Sequence, residues 1–393
     1  MHFFKKIMKK KRIFLDYAST TPIDKRVKEE MDKYEEESSF NPSALYSEGL
    51  SAKEVLDSSR DRIASLLSAQ KNEIIFTSGG TEANNLAILG VFEAYKKENF
   101  TPHIVTCEIE HPAVLEVCKE VERREGEVTI LPVSEDGLVS SKDVRDSLKD
   151  NTVLVSIMYA NNEIGTVQPI KEIGRVIKEY RTKNNKRLPY FHTDACQAVL
   201  YEELHVQKLV VDLMTLDGIK MYGPRGAGLL YVKTDTEIHP INFGGGQERG
   251  LRNGTENVGA SLGLARALEI ATDERENLSE RMSKLRDYAI NKILKSFPTA
   301  SLNGSATYRL PNNINICFPL LDAEFAVISL DVAGIAASYS SSCLTLKEDS
   351  SSYVMTALGK DDCKNSSLRF TLGRESKKED IDALVSALQK IVK

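Results

Sequence analysis

Lys220 stands between two apolar runs, where a lysine side chain could act as a nucleophile. The run Val210–Leu216 starts with β-branched residues and predicts a buried strand, and Leu229–Val232 predicts a second one. Burial lowers the pKa of a lysine ammonium, and the neutral amine can form a Schiff base with a carbonyl cofactor. The alternative is a simple hairpin whose lysine extends into water. Lys220 is therefore a candidate catalytic residue that needs support from the rest of the chain.

Polar residues follow several other predicted strands. After the strand Glu73–Thr77, Gly80 and Thr81 open a predicted helix, and a helix start directs backbone N–H groups at an anion. A turn of this kind taken alone is usually only a strand–helix connection. Because ligands bind at the carboxyl ends of strands in parallel sheets, we expect these ends to form one site. The other residues at such ends are His111, Asn161, Asn162, Asp194 and Gln197.

The elements that must position these residues alternate between strand and helix as far as Thr193. This alternation predicts an α/β fold with a mostly parallel sheet flanked by helices. We expect a basic arm at 1–12, a large domain at 13–256 and a smaller C-terminal α/β domain at 257–393. The predicted strands are Ile13–Tyr17, His103–Cys107, Glu127–Pro132, Thr152–Met158, Tyr190–Thr193, Asn312–Phe318 and Leu368–Leu372. The predicted helices are Asp24–Glu37, Leu50–Leu67, Ser78–Ala94, Ala113–Gly126, Ile170–Asn184, Asn257–Phe297 and Lys378–Val392.

Composition excludes several classes of protein. The chain has 393 residues, is 41% hydrophobic and 28% charged, and carries a net charge of −5, which is typical of a globular protein without a nucleic-acid-binding field. No apolar run reaches membrane-spanning length. The basic arm lacks the apolar core of a secretory signal. We expect it to be solvated, with a membrane-surface or partner-binding role as the alternative.

The six cysteines form no CxxC pair and show no short disulfide spacing. This pattern favours separate thiols in a reducing compartment, so we expect a cytoplasmic protein. We expect no metal site. Cys343 is the only thiol in the segment 338–352, which is rich in serine and charge and poor in apolar residues. Such a composition predicts a mobile loop.

At this point the chain resembles the cysteine desulfurases that supply sulfur for iron–sulfur cluster assembly and tRNA thiolation. These are class V aminotransferases with the type I fold of pyridoxal-phosphate enzymes. The resemblance runs from LDYASTTP at Leu15 to LRFTLGR ending at Arg374. Between them, in the family's order, lie FTSGGTEANN, EHPAV, YANNEIGTVQP, HTDACQ, the Gly218–Gly226 segment, GGGQERGLRNGT and the serine-rich cysteine loop.

The resemblance implies pyridoxal 5′-phosphate as cofactor and roles for four residues around its ring. Lys220 would hold the pyridoxal aldehyde and then move protons on the substrate carbon. Asp194 would keep the ring nitrogen protonated, although an Asp after a strand is more commonly a helix cap. Gln197 would bind the ring oxygen, or be an ordinary helix residue. His111 would stack on the ring and handle protons, or be a loop residue.

Other positions imply the phosphate and substrate sites. Gly80 and Thr81 would bind the phosphate at the helix start. Thr255 corresponds to the position that reaches the phosphate of the neighbouring subunit, which implies a homodimer. Asn162 and Arg369 would hold the substrate carboxylate, a task that suits the planar fork of arginine.

Cys343 is the implied nucleophile. Its thiolate would attack the sulfur of L-cysteine, leaving L-alanine and a persulfide for an acceptor protein, either an iron–sulfur scaffold or a tRNA-thiolation relay. Cys196 is the second candidate, interpreted as a small packing residue under the cofactor. The alternatives are a selenocysteine lyase or another pyridoxal-phosphate β-lyase, and a cofactor-poor paralogue that acts as a binding partner in sulfur transfer.

The chain departs from the family pattern at a few positions. Asp217 and Ile219 replace a serine and a histidine that help to hold the phosphate, and Tyr46 and Gln247 replace two other common histidines. We still assign Asp217 to the cofactor site. We expect its carboxylate to turn away and cap the backbone of the Gly218 turn. It could instead be protonated, or be offset by a residue such as Arg252 from the partner subunit.

Overall fold

A seven-stranded sheet with helices on both faces carries most of the chain. The computed structural model describes residues 12–37, 40–339 and 351–392. The helices within these residues are α1 (Lys25–Glu37), α2 (Ser47–Leu67), α3 (Gly80–Tyr95), α4 (Pro112–Arg123), α5 (Ser141–Ser147), α6 (Ile170–Lys183), α7 (Val206–Leu209), α8 (Val258–Ser296), α9 (Ala323–Val332), α10 (Tyr353–Ala357) and α11 (Lys378–Ile391). The strands are β1 (Ile13–Phe14), β2 (Ile74–Thr77), β3 (His103–Cys107), β4 (Glu127–Leu131), β5 (Thr152–Ser156), β6 (Tyr190–Asp194), β7 (Leu213–Asp217), β8 (Gly228–Val232), β9 (Ser301–Leu302), β10 (Asn313–Cys317), β11 (Ile335–Ala336) and β12 (Ser367–Thr371).

The large sheet has the order β2-β8-β7-β6-β5-β3-β4. Strand β8 is antiparallel to both neighbours, and the other pairs are parallel. Every residue of β3, β5 and β6 is buried, as expected for a sheet with helices on both faces. The predicted mostly parallel α/β sheet is confirmed.

The C-terminal part contains a second, antiparallel sheet of order β12-β10-β9. The N-terminal strand β1 lies beside it, because β1 pairs with β11 and Asp16 bridges to Thr371. Helix α8 is 39 residues long and contacts α1 and α2 as well as β10 and α11. The predicted boundary at 256 precedes this shared helix and stays a prediction.

The predicted strand at Val210–Leu216 begins later than expected. Residues Val206–Leu209 form α7, and Val210 has a φ of 61°, with its N–H donating to the Val206 carbonyl. The left-handed residue ends the short helix and turns the chain into β7 at Leu213. The β-branched residues at 210 and 211 are typical of a strand, but they lie in the turn before it. The predicted start of the strand at Val210 was therefore wrong.

The prediction of six separate thiols was also wrong. Cys317 at the end of β10 and Cys363 in a 3₁₀ turn form a disulfide across 46 residues, with Cα atoms 5.4 Å apart. The turn precedes β12, which pairs with β10, so the sheet itself brings the two cysteines together. A pairing over such a separation leaves no spacing signal in the sequence. Cys107, Cys118 and Cys196 are buried free thiols.

Among the residues that the structure describes, every helix is too short or too polar to cross a lipid bilayer.

Candidate active site

A cavity of about 230 Å³ opens at the carboxyl ends of the central strands. It brings together nearly all the site residues predicted from sequence. These are Gly80, Thr81, His111, Asn162, Asp194, Gln197, Asp217, Lys220 and Arg369. Thr255 does not line the cavity and is exposed in the glycine-rich loop, and Cys343 lies outside the described residues. The cavity also has lining residues that the sequence reasoning did not assign, notably Ala18, Ser19 and Asn84.

Lys220 is fixed by a turn and by main-chain oxygen atoms. Strand β7 ends at Asp217, and a 3₁₀ turn carries the chain through Gly218 to Lys220. The Lys220 Nζ donates to the carbonyl oxygens of Ala18 at 2.8 Å and Ser19 at 2.7 Å. Two main-chain carbonyl oxygens thus hold the Lys220 amine at the cavity wall.

Asp194 ends β6 and is only 7% exposed. Its Oδ1 accepts from the Cys196 N–H at 3.0 Å, and its Oδ2 accepts from Asn84 Nδ2 at 2.7 Å. Both donors are neutral, and no cationic side chain in the described part of the chain forms an ion pair with Asp194. A buried carboxylate without a counter-charge favours a cationic group on a ligand.

His111 caps helix α4. Its Nδ1 accepts from the Ala113 N–H at 3.1 Å, so in the neutral ring the proton lies on Nε2. Pro112 at the first helical position fixes the backbone that presents the imidazole to the cavity. The ring is therefore held in one tautomer, which suits a residue that exchanges protons with a ligand.

Glu110, beside His111, is a buried acid that sequence reasoning missed. Its Oε1 accepts from the Met158 N–H at 2.5 Å and from the Cys107 thiol at 3.4 Å, while its buried Oε2 has no partner among the described residues. Complete burial, with a contribution from the charge of Asp194, raises the pKa of Glu110 to about 8. The EHPAV motif contained Glu110, but a charged residue before a histidine gives no sign of burial.

The start of α3 already holds a carboxylate. Asp217 Oδ1 accepts from the Ile219 N–H at 3.1 Å, which confirms the predicted cap on the Gly218 turn. Its Oδ2 accepts from the Gly80 N–H at 3.0 Å, so the expectation that the carboxylate turns away from the helix start was wrong. One side chain makes both bonds because β8 brings β7 alongside β2, which leads into α3.

Arg369 closes the cavity on the side of β12 and is 2% exposed. Its guanidinium donates to the Asn162 carbonyl at 2.9 Å, to Asp16 Oδ1 at 2.8 Å and to Ser19 Oγ at 3.1 Å. The Arg369 Nε and the Asn162 Oδ1 are both buried without a partner among the described residues. Two unsatisfied polar atoms on one wall are a suitable binding place for a polar ligand group.

Cys196 lies beneath the cavity floor, between Asp194 and the start of α3. A Cβ added to Gly80 would come within 2.9 Å of its Sγ, and burial together with the charges of Asp194 and Asp217 raises the pKa of the thiol well above its ordinary value. A thiol with a raised pKa carries little thiolate and is a poor nucleophile. This geometry supports the interpretation of Cys196 as a packing residue.

The raised pKa of Glu110 leads to a prediction about stability. The unfolded carboxyl loses its proton near 4.5, whereas the folded one keeps it up to about 8. The free energy of unfolding should therefore fall as pH rises through this window, with a slope of up to about 1.4 kcal/mol per pH unit for one proton. Glu110→Gln keeps an acceptor oxygen and should remove this slope.

Urea unfolding at pH 5 and pH 7.5 measures the difference between wild type and variant. The exposed Glu116→Gln on α4 is the control and should follow wild type. A Glu110→Gln variant whose stability changes with pH as steeply as wild type would contradict the prediction.

The chain is similar to known proteins over nearly its whole length. The sequence model of the class-V aminotransferase family matches residues 13–384. The cysteine desulfurase IscS of Dictyoglomus turgidum is 41% identical over 384 residues, which cover 98% of this chain and 95% of that protein. Among solved structures, a NifS-like protein superposes with a TM-score of 0.89 at 32% identity and covers 97% of this chain and 99% of its own. The structure of SspA in complex with cysteine has a TM-score of 0.78 at 33% identity, with coverage of 92% and 99%.

Proposed function

Since the chain belongs to the class-V aminotransferase family and, within it, to the cysteine desulfurases, we propose that this site removes sulfur from L-cysteine with pyridoxal 5′-phosphate as cofactor. The observation that carries the proposal is that one cavity contains both the Lys220 amine and the buried Asp194 carboxylate, which forms no ion pair among the described residues. A single ligand would satisfy both residues if it offered a carbonyl group to the Lys220 amine and a protonated ring nitrogen to the Asp194 carboxylate.

The residues present fit this cofactor. Lys220 would bind its aldehyde carbon and Asp194 its ring nitrogen, and its phosphate would lie at the start of α3, where Asp217 now accepts from the Gly80 N–H. Gln197 Nε2 donates to the Ala18 carbonyl at 3.0 Å, which is the same oxygen that holds Lys220, so the amide lies beside the amine. When bound, pyridoxal phosphate supplies an electron sink that stabilises negative charge on the substrate carbon.

The protein's own groups bind and orient the substrate. The similar protein SspA was solved in complex with cysteine, and we propose the same amino acid as the substrate of this chain. Its carboxylate would meet the Arg369 guanidinium and the side chain of Asn162. The amine of Lys220 then moves a proton at the substrate α-carbon, and the Nε2 of His111 exchanges a proton within the same cavity.

We assign the sulfur-accepting step to Cys343. Its thiolate attacks the substrate sulfur, the S–S bond forms as the carbon–sulfur bond breaks, and the electron pair of that bond passes to the carbon. Protonation of the carbon gives L-alanine, and Cys343 is left as a persulfide. L-cysteine and one thiol yield L-alanine and one persulfide, so no external oxidant or reductant is needed.

The remaining assignments follow from the same family. We propose a homodimer in which Thr255 reaches the partner's phosphate, which agrees with its exposure and its position outside the cavity of its own chain. We also propose a cytoplasmic location and a protein acceptor for the persulfide sulfur, either an iron–sulfur scaffold or a tRNA-thiolation relay.

The purified protein should be yellow with cofactor and should release equimolar alanine and sulfide from L-cysteine when a reductant is present. Lys220→Ala should lose about a thousandfold or more in rate, because no other amine among the described residues lines the cavity. Borohydride reduction and peptide mapping should place the cofactor on Lys220. The exposed Lys119→Ala is the control and should keep full activity. Label on another lysine, or undiminished activity of Lys220→Ala, would refute the assignment.

Cys343→Ser should still bind L-cysteine, because the cavity is unchanged, but should form no persulfide. Its cofactor spectrum should respond to cysteine as in wild type, while sulfide release falls to background. Cys196→Ser should keep most of the activity, because the buried Cys196 has a raised pKa. If instead Cys196→Ser abolished sulfide release and Cys343→Ser kept it, the nucleophile would be the buried cysteine.

A further inference from the structure

We propose that Asp217 weakens the preference of this site for the phosphorylated form of its cofactor, because its carboxylate already binds the backbone donor that a phosphate would use. The inference rests on the proposed cofactor and concerns one end of it only. It makes Asp217 a specificity-determining residue, separate from the residues that attach the ring.

The carboxylate is seated directly on the helix start. Asp217 Oδ2 accepts from the Gly80 N–H at 3.0 Å. A Cβ added to Gly79 would lie 3.4 Å from this oxygen, and one added to Gly80 would lie 3.3 Å from it. Both glycines therefore leave room for the carboxylate over the first turn of α3, which is 16 residues long. The positive end of a helix stabilises one anion there, and Asp217 is that anion.

No salt bridge to the Asp217 carboxylate is formed among the described residues. The titratable groups lining the same cavity are His111, Asp194, Cys196, Lys220 and Arg369. The two cations among them are directed elsewhere: Lys220 donates to main-chain carbonyls, and Arg369 pairs with Asp16. Asp217 forms no ion pair in the described part of the chain.

Arg252 is the nearby arginine considered from sequence, and it is also engaged. Its Nε donates at 3.0 Å to Oε1 of Glu82, which lies in the first turn of α3. Glu82 in turn accepts from the Ser78 N–H at 2.5 Å. Arg252 thus forms an ion pair with Glu82 of its own chain, whereas Asp217 lines the cavity.

A phosphate dianion entering this site must displace the Asp217 carboxylate from Gly80 or share a proton with it. Both processes oppose binding, since like charges at hydrogen-bond distance disfavour each other. Ile219 provides no side-chain donor in compensation. Pyridoxal has a neutral hydroxymethyl group in place of the phosphate, and Asp217 does not repel this group. Asp217 should therefore weaken the binding of pyridoxal phosphate but not that of pyridoxal.

The test compares pyridoxal phosphate with pyridoxal on the full-length apoprotein, using absorbance titration and retention on dialysis. Asp217→Asn has the same shape, keeps an oxygen for the Ile219 N–H and removes the charge. It should tighten pyridoxal phosphate binding about tenfold or more and change pyridoxal binding less than twofold. Asp217→Ser, which adds a hydroxyl donor, should do the same. Glu93→Gln, at the far end of α3, is the matched control and should change neither.

Equal tightening of both ligands would overturn the inference, because Asp217 would then act on the ring. No change with either ligand would overturn it too, because the phosphate would then be bound away from Gly80. Both results leave the proposed function intact so long as borohydride traps the cofactor on Lys220. A wild-type protein that traps neither ligand on Lys220 would refute the proposed function itself.

Discussion

The short segment Asp16–Thr21 binds both the amine of Lys220 and the guanidinium of Arg369 at the cavity wall. Its carbonyls at Ala18 and Ser19 accept from the Lys220 Nζ, and Asp16 forms the ion pair with Arg369. Thr21 fixes the segment to the Lys220 turn, since its N–H and its hydroxyl both donate to the Ile219 carbonyl, at 2.9 and 2.8 Å. Removing one partner of a buried ion pair leaves an unpaired charge, so a shift of this segment would disturb the amine and the guanidinium together.

Three carboxyl groups lie near the cavity, and each has different hydrogen-bond partners. Asp194 accepts from two neutral donors and forms no ion pair among the described residues. Glu110 is fully buried beside it, and its raised pKa keeps the proton, so the two do not add two negative charges to one region. Asp217 takes the helix start. The cavity thus contains the buried carboxylate of Asp194 and, at the start of α3, an anion site that Asp217 already occupies.

Local patterns predicted much of the fold, because the parallel strands are buried apolar runs and α8 has strong helical periodicity. They also placed Lys220, Asp194 and His111, since Asp194 ends a strand, Lys220 lies in the turn after a strand and His111 caps a helix. The predictions that were wrong concern contacts between distant parts of the chain. The Asp217–Gly80 bond spans 137 residues and the Cys317–Cys363 bond 46, and neither is visible in neighbouring residues. The burial of Glu110 likewise arises from tertiary packing.

The chain on either side of Cys343 is attached to the cavity walls. On one side, Ser338 exchanges backbone hydrogen bonds with Arg369. On the other, the Ser352 hydroxyl donates to Glu163 at 2.6 Å, next to Asn162, and the Tyr353 hydroxyl donates to the Glu110 carbonyl at 2.5 Å. The chain is thus bound to the wall that carries Arg369 and Asn162 both before and after the segment that contains Cys343.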